Sequence, residues 1–102
     1  MTNEIELRLK WHKTWEDREN DFAAEAPAYG LVGRIYVYTS GPSKGRWIWS
    51  LTAHGGDVSR NIGKLSGYAE SAREAAKEVE NAWFAAIKGT VHDRPAAPAR
   101  NA

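Results

Sequence analysis

The sequence predicts an α+β domain: a small antiparallel β-sheet of three to four strands with one C-terminal amphipathic helix packed on one face. Three observations carry that expectation. Residues 4–11, EIELRLKW, alternate apolar and charged side chains with the period of a half-buried strand. Residues 31–39 and 46–53, LVGRIYVYT and RWIWSLTA, are rich in β-branched and aromatic residues and flank the turn-forming SGPSKG, as the arms of a hairpin do. Residues 71–88 set Ala72, Ala75, Ala76, Val79, Ala82, Trp83, Ala86 and Ile87 at helical spacing behind Ser71 and Glu74, which are spaced as a capping box.

Each element follows in order. In the first strand Ile5, Leu7, Leu9 and Trp11 share one side, and Glu4, Glu6, Arg8 and Lys10 share the other, where charge also guards a sheet edge. Residues 12–29 support two readings. One is a short helix or turn begun near Thr14 and Asp17 and ended by Pro27; the other is a second strand around Asp21–Glu25. The hairpin follows. Residues 54–67, HGGDVSRNIGKLSG, then form a connection as long as structureless loops in compact domains usually get, so Val58 and Ile62 are expected in a short further strand. Gly89 stops the helix. Residues 1–88 make one domain, and the proline-bearing residues 89–102 make a flexible tail.

The helix's inner face is mostly alanine, so bulky partners must come from the sheet: Trp11, Ile35, Val37, Trp47, Trp49 and Leu51. Hairpin register decides what the other sheet face carries. If paired residue numbers sum to an even value, as for Val37 opposite Trp49, that face shows Arg34, Tyr36, Tyr38, Arg46, Ile48, Ser50 and Thr52. An odd sum puts both tyrosines with the tryptophans. The even register is favoured because it gathers arginines and tyrosines on the wet side.

Charge is uneven along the chain. Residues 1–29 hold four basic and seven acidic side chains (net −3), whereas residues 30–67 hold five basic and one acidic (net +4). Arg34, Lys44, Arg46, Arg60 and Lys64 supply that positive middle. Cysteine is absent, which excludes disulfides, thiolate metal sites and a cysteine nucleophile. No signal sequence and no run of 18 apolar residues is seen, so a cytoplasmic protein is expected. His12, His54 and His92 lack zinc-ligand spacing, no phosphate-cradling glycine motif occurs, and His54 beside Gly55, Gly56 and Asp57 reads as a solvated turn. The carboxylate pairs Glu16/Asp17 and Glu78/Glu80 read as solvated, and Ser50 and Ser59 have no base at recognisable spacing. The expectation is therefore no enzyme, no cofactor and no metal.

What remains is a binding or interaction module using the uncovered sheet face. Its candidate residues are Arg34, Tyr36, Tyr38, Arg46, Ile48 and Ser50, with Arg60 and Lys64 from the following loop. The expected partner is a protein or a second copy. The alternative is a weak nucleic-acid binder in which Arg34, Arg46, Arg60 and Lys64 meet phosphates while Tyr36 and Tyr38 stack on bases.

The pattern VGRIYVYTSGPSKGRWIWSLTA, then GYAESAREA leading into an alanine-rich helix with Trp83, resembles a family of small bacterial proteins of rhizobial type with no known activity. The resemblance covers roughly residues 20–88 and implies a small sheet followed by one helix; it also moves residues 21–26 toward strand. The chain is more loosely similar to plant-type and integrase-type DNA-binding domains, which place three strands ahead of one helix and read DNA from the uncovered sheet face. That likeness maps onto Arg34, Arg46 and Arg60, but Tyr36, Tyr38 and Ile48 stand where those domains carry more arginines.

Overall fold

The computed structural model describes residues 6–27, 29–42 and 44–90. Five strands, β1 (Lys10–Lys13), β2 (Asp21–Ala26), β3 (Gly30–Val37), β4 (Trp47–Leu51) and β5 (Ser66–Ala69), precede one helix, α1 (Ala72–Ala86). They form a single antiparallel meander in the order β1-β2-β3-β4-β5, and α1 packs across β3, β4 and β5 on one side. The class is α+β as expected, with five strands rather than three to four.

Alternation explains the two faces. Ile35 lies opposite Trp49 and Gly33 opposite Leu51, so β3 and β4 send Ile35, Trp49 and Leu51 to the helix, where all three are buried against Ala75, Ala76, Val79 and Trp83. The paired numbers sum to an even value, as favoured, but Val37 faces Trp47 and not Trp49. Trp11 and Trp47 are half-buried at the rim of this core. A bulge between Ala24 and Glu25 gives β3 one residue more than β2 across Glu25–Leu31. Val32, the extra residue, is fully buried, and its carbonyl accepts from Thr52 N and Ala53 N at 2.8 and 3.1 Å.

Helix α1 begins as the capping box requires. The Ser71 hydroxyl accepts from Glu74 N at 3.1 Å, and the Glu74 carboxylate accepts in return from Glu70 N at 3.2 Å, one residue earlier than the usual reciprocal partner. Gly89 follows the helix with φ 82°, a left-handed value suited to glycine. The alanine stripe lets the helix sit so close that a Cβ on Gly33 would meet Val79 Cγ1 at 2.4 Å and Ser50 O at 2.9 Å.

Three expectations are corrected. The strand at residues 4–11 shortens to Lys10–Lys13, because residues 6–9 leave the sheet and run along α1 as a strap. The cause is Glu80. Its carboxylate accepts from Arg8 N at 2.7 Å, Leu9 N at 2.9 Å and the Trp11 indole at 2.9 Å, taking backbone donors that a ladder would otherwise use. Lys77 Nζ donates to Glu6 O, and the Arg8 guanidinium sits 4.1 Å from the Phe84 ring centroid, tying the strap on both sides. Glu80 is thus fully buried instead of solvated. The further strand is not at Val58 or Ile62 but at Ser66–Ala69; Val58 instead plugs the core from the loop. The undecided residues 12–29 contain β2. Ile5 and residues 91–102, including His92, lie outside the described residues.

Candidate partner-binding face

No described element packs on the sheet face opposite α1. Register builds that face row by row. Tyr36, Ile48 and Tyr68 fall opposite one another across β3, β4 and β5, with Asp21 of β2 at the end of the row. The ladder continues past β3, since Tyr38 N donates to Arg46 O at 3.1 Å and Gly45 N donates to Tyr38 O at 2.9 Å. This places Tyr38 and Arg46 one row beyond Tyr36 and Ile48. Gly41 and Gly45, with φ 79° and 90°, turn the chain between them.

The three tyrosines touch. Tyr36 and Tyr38 meet edge to face at a centroid distance of 6.4 Å, and Tyr38 leans across β4 to Tyr68 at 6.3 Å, so Ile48 is walled by phenol rings. Such contacts contribute about 0.5–1.5 kcal/mol each beyond burial and hold the rings in place before anything binds. Tyr38 and Tyr68 remain 39% and 50% exposed. The Tyr38 phenol is held above its ordinary pKa, mainly by repulsion from a neighbouring Tyr68 phenolate, with burial and a hydrogen bond to Tyr68 adding to it.

The arginines have separate duties. Arg34 donates from Nε and Nη2 to the two carboxylate oxygens of buried Asp21, at 2.9 and 2.7 Å, while its guanidinium lies 4.5 Å from the Tyr36 centroid. Arg46 is exposed and lies 4.9 Å from the Tyr68 centroid. Ser50 sits opposite Arg34, half-buried. The loop cations are not brought to this face. Arg60 Nη1 donates to the carbonyls of Leu51 and Ala53 at 3.2 and 2.6 Å and so anchors the loop. Lys64 Nζ lies 3.4 Å from where a Cβ on Gly67 would stand, and Gly67 pairs with Trp49 on the helix side.

The Arg34 hydrogen bonds hold the Asp21 carboxyl below its ordinary pKa of 3.8, against the opposing effect of burial. A depressed folded-state pKa means that the pair's stabilisation is complete above the unfolded value and is lost as pH falls through the lower folded one. Asp21→Asn is therefore expected to be clearly less stable than the parent near pH 6. The gap should narrow below pH 3.8 in denaturant titrations; a gap independent of pH contradicts the assignment.

Beside Tyr36, Asp17, Arg18, Glu19, Asn20, Asp21, Val37 and Thr39 line a cleft of about 250 Å³. It falls below the roughly 300–1,000 Å³ of small-molecule sites and suits one side chain of a larger partner. His12 approaches Glu25 at 3.5 Å near the far edge. The backbone of His54 is bonded through both its N and O to the Tyr29 hydroxyl, with the residue itself exposed. Among the described residues there is no cluster of three or more His, Cys, Asp or Glu able to hold a metal ion, and no helix long and apolar enough to cross a membrane.

Sequence reasoning missed Tyr68 and the Asp21–Arg34 pair. Tyr68 had a signal: in S-G-Y-A, directly before the capping box, Ser66 and Tyr68 alternate with small residues as an edge strand does. Comparison with family models, with curated proteins and with solved structures returned no significant match.

Proposed function

We propose that this chain is a non-enzymatic protein-interaction module whose binding surface is the tyrosine face. The observation that carries the reading is the contacting trio Tyr36, Tyr38 and Tyr68 around Ile48, exposed on a sheet face that no described element covers. Tyrosine and arginine dominate the energetics of protein interfaces, because a rigid amphipathic ring buries a large area at little entropic cost. Arg46 at the rim supplies the one guanidinium there that is over a ring and engaged with no carboxylate in the structure.

Nucleic acid is the weaker reading for a reason of charge. Of the four cations expected to meet phosphates, Arg34 is neutralised by Asp21, Arg60 is spent on carbonyls and Lys64 lies toward the helix side. Arg46, with Lys44 in the adjoining turn, leaves a short phosphate track. Cytoplasmic residence belongs to the same proposal and rests on the cysteine-free composition.

The test uses immobilised full-length chain and a Tyr38→Ser/Tyr68→Ser variant, each exposed to the native cell extract, followed by titration of any captured protein in purified form. A partner whose affinity falls by about tenfold or more in the variant, as for loss of interface hot spots, supports the reading. Binding that ignores both tyrosines, or salt-sensitive binding of short oligonucleotides in place of protein, overturns it.

A further inference from the structure

The two edges of the sheet are built differently. Strand β1 has the sequence KWHK and carries Lys10, His12 and Lys13, charges of the kind that keep an edge from pairing, with the strap leaving it at one end. Strand β5 has the sequence SGYA, with no charge, no proline and no bulge, and no described strand pairs with its outer side. An uncharged, regular edge is a template for another strand.

The backbone says which groups are available. Leu51 N donates to Leu65 O at 2.8 Å, so Leu51 and Leu65 form a hydrogen-bonded pair. Alternation along an antiparallel ladder makes Trp49 and Gly67 the next such pair. Ser66 and Tyr68, opposite Ser50 and Ile48, therefore direct their N–H and C=O groups outward.

We propose that β5 pairs with β5 of a second copy across a two-fold axis at Gly67, joining two five-stranded sheets into one of ten strands. In this register Ser66 and Tyr68 each exchange backbone bonds with Tyr68 and Ser66 of the second copy. Gly67 faces its own equivalent at the close-approach position, where glycine fits. The same register sets Lys64, just before the strand, across from Glu70 of the second copy, just after it. Symmetry repeats that opposition at the other end, so the edge complements itself in charge as well as in backbone, and no like charges meet directly. The occupant is therefore a second copy, not an arbitrary extended peptide. The tyrosine faces of the two copies become continuous, with Tyr68 beside Ser66 of the neighbour. The edge is separate from the tyrosine face, so either proposal can fail alone.

Sedimentation velocity on the full chain up to millimolar concentration is expected to show a reversible monomer–dimer equilibrium. Ser66→Pro removes one outward N–H while leaving the bonds to β4 in place, and proline is tolerated at such an edge position. It should weaken dimerisation by about tenfold or more, because symmetry removes the donor twice. Lys64→Glu should weaken it through repulsion from Glu70, and adding Glu70→Lys should restore it. In a mixture of labelled and unlabelled chains, intermolecular contacts between Gly67 α-protons should appear. A monomer at all concentrations overturns the proposal, as does a dimer indifferent to Ser66→Pro or one whose intermolecular contacts lie away from Gly67.

Discussion

Glu80→Ala is expected to destabilise the protein by about 3 kcal/mol or more, the largest effect of a single side chain outside the aromatic core. The carboxylate is completely buried, and everything it bonds comes from the strap and the first residues of β1: Arg8 N, Leu9 N and the Trp11 indole. Removing it leaves these three donors without their acceptor while the apolar anchors Leu7 and Leu9 still hold part of the strap against the core. Stranded donors in a partly buried setting cost about 1–3 kcal/mol each where water cannot reach them, so the sum depends on how far the strap lifts. Glu80→Gln keeps an acceptor oxygen but loses the charge and should fall between parent and alanine. Denaturant midpoints give the energies, and amide exchange gives the location. Arg8 and Leu9 amides should be protected in the parent and exchange far faster in Glu80→Ala, with β3 and β4 little changed. A loss below about 1 kcal/mol, the size of one ordinary hydrogen bond, means the strap is not held in this way.

Gly33→Ala is the second large effect, about 2–3 kcal/mol in the destabilising direction. Its cause is steric rather than conformational, since the added methyl would stand 2.4 Å from Val79 Cγ1 and 2.9 Å from Ser50 O. Either the helix retreats from β3 or the hairpin distorts, and both open the core around Ile35 and Trp49. For a domain of this size each kcal/mol lowers the melting temperature by roughly 4–8 °C, so the change is easily read. Val79→Ala in the same chain removes the first clash but not the second. The double variant should therefore be less destabilised than the two single effects added together, and a thermodynamic cycle reads that coupling directly. Simple additivity contradicts the close crossing of α1 over Gly33.

Glu80 and Gly33 also show where the sequence was readable and where it was not. Elements with a strong local period were legible: the hairpin arms, the parity of their register and the capped helix all follow from alternation and spacing. Trp47 and Trp49 were placed on the helix side because an alanine face needs bulky partners, and Tyr36 and Tyr38 fell on the other side as a consequence. Features set by non-local partners were not legible. The alternation of residues 4–11 fits a strand equally well whether its amides face a neighbouring strand or a carboxylate 72 residues away in the chain, as Arg8 and Glu80 are. Asp21 looked like one more acid in a polar stretch, and only the pairing of β2 with β3 brings it to Arg34. The expected strand at Val58 and Ile62 rested on apolar content, yet one buried valine in an irregular loop satisfies the core as well. Tyr68 was overlooked because Ser66, Gly67 and Ala69 give β5 almost no propensity of its own; pairing with β4 makes it a strand.

The claim on which the functional account turns is that the tyrosine face meets another protein. A photoreactive phenylalanine derivative replacing Tyr38 in the intact chain, expressed in its native cells, tests it most directly. Tyr38 lies on β3, two strands from the β5 edge, so its adducts report the face and not edge pairing. The same probe in place of exposed Lys88, beyond the C-terminal end of α1, serves as the control. The account predicts a discrete adduct with a different polypeptide from position 38 and none of that size from position 88. No adduct at 38, an adduct with nucleic acid in its place, or the same polypeptide captured equally from 88 contradicts it.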